Sequence, residues 1–434
     1  AADIPGGVPV SVTVNPGPRF RFGALDIVNA PPFQDDDDDL DFVDPPSSAG
    51  FERGEPALTG AIGRASSLSI ERWRQLSHAK AQETNREIVA DHPSDRVNVR
   101  LTLDPGPAVR FGPTTVTGES RLDPDFIAYM ASLQPGAPFD PDSVKDAEDR
   151  LARMGVFRSF RIEESETVLA DGTLPMAISV EDRRRRAIGF GATYSTLDGL
   201  GLSAYWLHRN LLGRAERLRF DASIERLLTS VDPSDYRYNL GVTFTRPGTF
   251  DPDTSFIASA LARQLDFDTY RETSISARVG FSRQFGRRLT GDIFAEASRA
   301  RFEDSFGTRE FTTIGFVGRG EYDRRDDPLD ATQGYYLAAE ARPFYEFDFG
   351  NPALQGTVEG RGFLGFGEDR RYVLAGRAKI GAFFGPDLAE SPPNLLFFAG
   401  GGGSIRGYEF RSIGVPITDP ETGEPGVAGG KGLV

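Results

Sequence analysis

The residues that could do chemistry in this chain are few, and they are scattered. Three histidines, His78, His92 and His208, stand apart from one another in 434 residues that contain no cysteine. Without thiolates, metal-ligand spacing or a nucleophile elbow, no catalytic, cofactor-binding or metal-binding residue is expected. Asp323, Asp326 and Asp327 crowd together as paired acids do, yet a charged turn at a strand junction explains them more simply. Five aspartates follow one another in "QDDDDDL". Calcium loops interleave their ligands with glycine at set positions, so this run reads as a solvated insertion. Gly400 to Gly403 run into Ser404-Ile405-Arg406-Gly407-Tyr408, and a glycine run of this kind can cradle a phosphate. That use needs a strand before it and a helix after it.

The elements that must position these residues follow from patterning. A net charge of −15 and a pI near 4.9 argue against nucleic acid as a partner. No apolar run is long enough for a transmembrane helix. The opening "AADIPGG" has neither the basic start nor the apolar core of a signal peptide, so a mature chain or a fragment is expected.

Up to about residue 183, strand and helix patterns mix. "VTVNPGPRFRFG" (12–23) and "LTLDPGPAVRFG" (101–112) align without a gap, each a strand end, a Pro-Gly turn and a new strand. Val8, Val10, Val12 and Val14 alternate with polar residues, as do Val97, Val99, Leu101 and Leu103, and again Leu174, Met176, Ile178 and Val180. That period means a sheet with one buried face. "DPDFIAYMASL" and "DPDSVKDAEDRLARMGVF" read as two helices, the first with an Asp cap and the second stopped by Gly155. The order strand, helix, helix, strand, strand is expected over 107–183. The same order with the acidic insertion is expected over 17–106, after the end of a preceding unit at 1–16. The run Arg183 to Arg186 closes this half, either touching anionic lipid or merely ending the last strand.

From 184 to 434 helical periodicity vanishes. Eleven strands are expected, near 187–197, 201–211, 216–227, 236–246, 254–264, 272–284, 289–300, 310–322, 334–343, 355–366 and 371–383. "GGKGLV" reads as the opening of a twelfth. One face of each is apolar and the other charged, which suits a sandwich or a membrane barrel. The ~10-residue segments match a tilted crossing of the bilayer. Tight connections at 212–215 and 286–288 against long ones at 228–235 and 302–309 favour the barrel, with its C-terminal part missing. A strand follows the glycine run, so the phosphate-loop reading fails.

Two motifs carry a resemblance. Ile405-Arg406-Gly407-Tyr408, with Gly403 and Ser404 before it, resembles the sixth-loop motif of the BamA/TamA outer-membrane assembly family. "YDRRDDPLDATQGYYL" is similar to that family's hairpin motif, through Asp323, Arg325, Asp326, Pro328, Leu329, Thr332 and Gly334. The glycine-rich lead and the few upstream units look most like TamA, the autotransporter assembly subunit. The resemblance implies α+β periplasmic POTRA domains followed by an antiparallel transmembrane β-barrel of about sixteen strands.

It also implies a protein of the outer membrane that templates unfolded β-barrel or autotransporter clients, with a periplasm-spanning inner-membrane partner of the TamB kind. The sixth loop would fold into the lumen, with Arg406 contacting the barrel wall through acceptors in strands that this sequence lacks, and Tyr408 packed beside it. Strand one supplies the lateral gate, Ile188-Gly189-Phe190-Gly191-Ala192-Thr193-Tyr194, its glycines weakening the seam. Two alternatives share the fold: a two-partner secretion transporter passing an unfolded polypeptide, and a BamA-type core assembly subunit.

Overall fold

The computed structural model describes residues 17–33, 43–195, 199–228, 232–367, 370–418, 423 and 425–433. The strand expected at Val8 to Val14 and the aspartate run lie outside the described residues. The chain divides into two compact units, and part of the second N-terminal module falls with the large sheet.

The first module runs β1 (Arg21–Val28), α1 (Thr59–Gln75), β2 (Gln82–Asp91) and β3 (Arg96–Asp104), with sheet order β1-β3-β2. β1 and β3 are parallel, which requires a crossover, and α1 lies within it. α1 contributes Ala61, Ile62 and Ala65 to a core with Phe22, Phe51, Val99 and Leu101. Burying Phe22 alone contributes about 1.5–3 kcal/mol. The expected pair of helices is corrected here. Among the described residues this module has one α-helix, and a 3-10 turn at Pro46–Ala49 precedes it. Gly50, with φ of 75°, ends that turn in the left-handed conformation typical of a helix stop.

The second module runs β4 (Arg110–Glu119), α2 (Pro124–Ala131), α3 (Pro141–Met154), β5 (Phe157–Glu164) and β6 (Thr173–Asp182), with sheet order β4-β6-β5. Asp123 caps α2, accepting from the Asp125 amide at 3.0 Å, and Asp140 caps α3 through the Asp142 and Ser143 amides at 3.1 Å. In both modules the last strand is the central one. That placement explains the clean alternation of β3 and β6, whose Leu101, Leu103, Leu174, Met176 and Ile178 are buried.

The large sheet is antiparallel and holds twelve strands. Its members are β7 (Arg186–Ser195), β8 (Gly199–Arg209), β9 (Arg217–Leu227), β10 (Arg237–Arg246), β11 (Thr254–Phe267) and β12 (Tyr270–Phe285). Then come β13 (Leu289–Asp304), β14 (Gly307–Asp323), β15 (Gly334–Glu346), β16 (Asn351–Phe366) and β17 (Tyr372–Phe384). After a hairpin, β18 (Val415–Thr418) with β19 (Pro425–Ala428), comes β20 (Gly432–Leu433) on β17. Each of the eleven expected segments is a strand, and β20 opens the twelfth. Within this chain the sheet is not closed into a barrel.

The expected alternation of short and long connections does not hold. β13 and β14 continue to Asp304 and Gly307, so the long connection expected over 302–309 is a two-residue turn. At the other end of the sheet the connections also differ in length, from the short 286–288 to the long 324–333. The physical reason is burial. Phe302 and Phe311 are 0 % and 1 % exposed and pack with Tyr270 and Phe398, so the strands extend under the segment that follows β17. Among the described residues no helix is long and apolar enough to cross a membrane, which says nothing about strands.

Candidate functional site

The segment after β17 is pinned to the sheet from its first residues. Arg309 of β14, nearly buried, pairs with Asp304 and donates to the carbonyls of Leu388 and Ala389. Gln355 donates to the Leu395 carbonyl at 3.0 Å. Ala399 and Ile413 then exchange two backbone hydrogen bonds, of 2.8 and 3.0 Å, closing a loop around the glycine run.

Inside that loop the glycines divide into two kinds. Gly400 and Gly401 have φ of 107° and 90°, and a Cβ on Gly400 would lie 2.2 Å from the Glu409 carbonyl oxygen. Only glycine adopts that backbone at low cost. The Ser404 hydroxyl accepts from the Gly400 amide at 2.9 Å, and Gly401 donates to the Tyr408 carbonyl at 3.0 Å. A Cβ on Gly402 or Gly403 would meet nothing within 4 Å. Gly403 instead presents its carbonyl to Arg377 of β17 at 3.3 Å, and Glu359 holds that guanidinium at 2.9 Å.

Arg406 itself is exposed, and among the described residues its side chain has no hydrogen-bond partner. Ile405 and Tyr408 are exposed as well. The arginine that holds the loop is Arg411, which sequence reasoning missed. Its guanidinium lies over the rings of Phe267 (4.6 Å), Tyr270 (5.3 Å), Phe398 (5.5 Å) and Phe410 (5.5 Å), and it donates to the Tyr270 hydroxyl. Arg411 has φ of 60°, a left-handed backbone that a non-glycine residue keeps only when its surroundings compensate. The aromatic neighbours in "GYEFRS" were a signal, but the partners from β11 and β12 were not visible.

The hairpin motif closes on itself between β14 and β15. Arg325 forks onto Asp323 at 2.9 and 2.6 Å and reaches the Pro328 carbonyl at 3.0 Å. Asp326 accepts from the amides of Asp327 (3.0 Å), Thr332 (2.9 Å) and Gln333 (3.0 Å), and from the Thr332 hydroxyl. The clustered acids therefore order a turn. Leu329 is left fully exposed at its tip.

The Thr332 hydroxyl, helped by those amides, holds the Asp326 carboxyl well below the usual carboxylate range. A depressed carboxylate stabilises the fold above its ordinary value near 3.8, and that support is lost as pH falls through the depressed one. Exchange protection of the Thr332 and Gln333 amides is therefore expected to hold from neutral pH down to about pH 4 and fall below it. Protection that declined between pH 7 and pH 5 would show that another group holds the turn.

At the other side of the sheet, β7 pairs with β8 in one unbroken register from Arg186↔His208 to Ser195↔Gly199, and with no other strand of this chain. Ile188, Phe190 and Tyr194 are 63, 85 and 75 % exposed. A Cβ on Gly189 would lie 2.2 Å from the Tyr205 ring, so Gly189 seats that ring; Gly191 similarly clears the Ser203 hydroxyl. Between the sheet and the segment after β17 lies a cavity of about 640 Å³, lined by Tyr205, Asn239, Arg263, Glu272 and Arg342 with Asn394. Buried Glu272 accepts from Arg263 at 2.8 Å and Ser274 at 2.6 Å. Among the described residues no three His, Asp or Glu side chains converge as a metal site would need.

A family model described as the Omp85 superfamily domain matches residues 210–433. The outer membrane protein assembly factor BamA of Nitratidesulfovibrio vulgaris is 24 % identical over 321 residues, 71 % of this chain and 39 % of that protein. The factor of the same name from Neisseria meningitidis serogroup B is 23 % identical over 448 residues, 96 % of this chain and 53 % of that protein. The chain thus spans about half the length, or less, of these curated relatives. Among solved structures, BamA from Haemophilus ducreyi lacking POTRA domains 1–3 matches with a TM-score of 0.59 at 15 % identity, over 92 % of this chain and 77 % of that one.

Proposed function

This chain belongs to the Omp85 superfamily, and on that premise we propose that it assembles outer-membrane β-barrel proteins by adding their strands at the β7 edge. The protein is located in the outer membrane, and on the same reading its two N-terminal modules are POTRA domains in the periplasm. What supports the proposal is the antiparallel sheet that opens at β7, together with the match to the Omp85 superfamily domain and to assembly factors named BamA. Backbone pairing is indifferent to side-chain identity, so such an edge accepts many client sequences. In lipid an unpaired strand edge is costly, which favours capture of an incoming strand. The finer reading is a TamA-like factor for autotransporter clients, working with a TamB-like partner. What supports it is the glycine-rich lead into Ile405-Arg406-Gly407-Tyr408.

Photocrosslinkers at Ala192 and Thr193 of the full-length protein, in cells, test the edge. Capture of nascent β-barrel chains is the expected result. Crosslinks only to the protein's own closing strand, with secreted polypeptide trapped from cavity positions such as Asn239, would instead make it a secretion pore.

A further inference from the structure

Several arginines of the large sheet are held by acids, Arg219 by Asp221 at 2.6 Å, Arg283 by Asp251 at 2.9 Å and Arg342 by Glu296 at 2.9 Å. Arg184, Arg185 and Arg186 depart from this pattern. All three are exposed, and among the described residues none of their side chains makes an ion pair. In a chain of net charge −15, three adjacent unpaired guanidiniums at the start of β7 are a local reversal of sign.

Directly beyond them the apolar face is hollowed. Arg186 shares its strand face with Ile188 and Phe190, because alternate residues of a strand point the same way. Across the ladder Ile188 stands opposite Trp206, and Trp206 opposite Phe220. In the next row Ala204 and Ala222 stand side by side, between Phe190 and Leu240. The result is a groove of about 480 Å³ walled by Ile188, Trp206, Phe220, Leu240 and Ile275, with alanines as its floor. One end of this apolar trough lies two residues along β7 from the unpaired arginines.

We propose that β7 to β10 carry a binding site for one anionic phospholipid, with its phosphate at Arg184–Arg186 and an acyl chain in the groove. The two halves of the site match the two halves of that molecule. Desolvated methylenes gain from the alanine-floored trough, each CH₂ contributing through the hydrophobic effect. The arginines fork onto phosphate oxygens. A zwitterionic headgroup brings its own cation against them and is disfavoured. The inference rests on the outer-membrane placement of the sheet and not on the client-assembly reading.

Trp206 reports on the groove from inside it. The only other tryptophan of these 434 residues, Trp73, lies in the first module, donating to the Asn29 carbonyl; Trp73→Phe removes it, and any tryptophan elsewhere in the full-length protein is replaced by phenylalanine as well. The test reconstitutes the full-length protein in vesicles containing brominated phosphatidylglycerol or brominated phosphatidylcholine at matched mole fractions. Trp206 quenching is expected to favour phosphatidylglycerol by about fivefold in apparent affinity for each arginine that engages. The joint variant Arg184→Gln, Arg185→Gln, Arg186→Gln should bring the two lipids to parity. Ala222→Phe, which fills the floor, should weaken quenching by both lipids, and the smaller Ala222→Leu guards against a folding failure. Equal quenching by the two lipids in the starting protein would overturn the site, leaving only annular lipid. A preference that survived the arginine replacement, or quenching untouched by either filled groove, would overturn it as well.

Discussion

Replacing Gly334 by alanine should unfold the β14–β15 connection and lower the yield of correctly folded sheet. Gly334 has φ of 98°, and a Cβ there would lie 2.0 Å from the Arg324 carbonyl oxygen and 2.9 Å from its carbon. Those atoms are backbone, so no side chain can swing aside. The left-handed conformation costs an alanine about 1–3 kcal/mol. The forced backbone shift adds a similar amount. The shift also breaks the turn where Asp326 gathers the amides of Thr332 and Gln333, so the loss propagates through the motif. A destabilisation of about 3 kcal/mol or more is expected, read as a fall in the unfolding midpoint in urea. Gly362 of β16 is the control, because a Cβ there meets nothing within 4 Å and its φ is not positive. If the Gly334 and Gly362 variants unfold together, the steric argument is wrong.

Arg411→Ala should release the loop between Ala399 and Ile413, while Arg411→Lys should release it only in part. Arg411 combines contact with four rings and a hydrogen bond to Tyr270, whose side chain is only 3 % exposed. A desolvated cation–π contact is worth about 2 kcal/mol. Leaving the tyrosine hydroxyl buried without its partner costs about 1–3 kcal/mol more. These terms overlap, and about 3 kcal/mol is a fair total for the pair. In limited proteolysis under fast reclosing, that corresponds to cleavage about 100-fold faster within the loop. Arg411→Lys should fall between, since an ammonium cannot stack as a planar guanidinium does. A loop no more open to protease in the Arg411→Ala variant than in the starting protein would overturn the assignment.

The same two sites show what was legible beforehand. The eleven strands could be read because alternation is a property of adjacent residues, and a one-residue slip would turn Leu218, Phe220, Ala222 and Ile224 to the wrong face. The Asp123 cap was legible for a related reason, since a cap and the amide it satisfies lie two residues apart; the Asp140 cap has the same geometry and was passed over. The hairpin motif was visible as a string, and the hydrogen bonds that give it meaning stay inside that string.

What tertiary structure decided was every assignment that joins distant parts of the chain. The turn between β13 and β14 looked like a loop because Phe302, Arg309 and Phe311 carry no sign of what covers them. Their cover comes from Leu388, Ala389 and Phe398. Gly189 looked like a weakness in β7 and is the seat of the Tyr205 ring. Arg411 holds the loop through a partner that no local pattern points to, because Tyr270 lies 141 residues away along the chain. Local periodicity and capping are carried by neighbours and determine the elements. Partner choice among arginines depends on which rings and carbonyls the folded sheet brings to one place, and only the fold settles that.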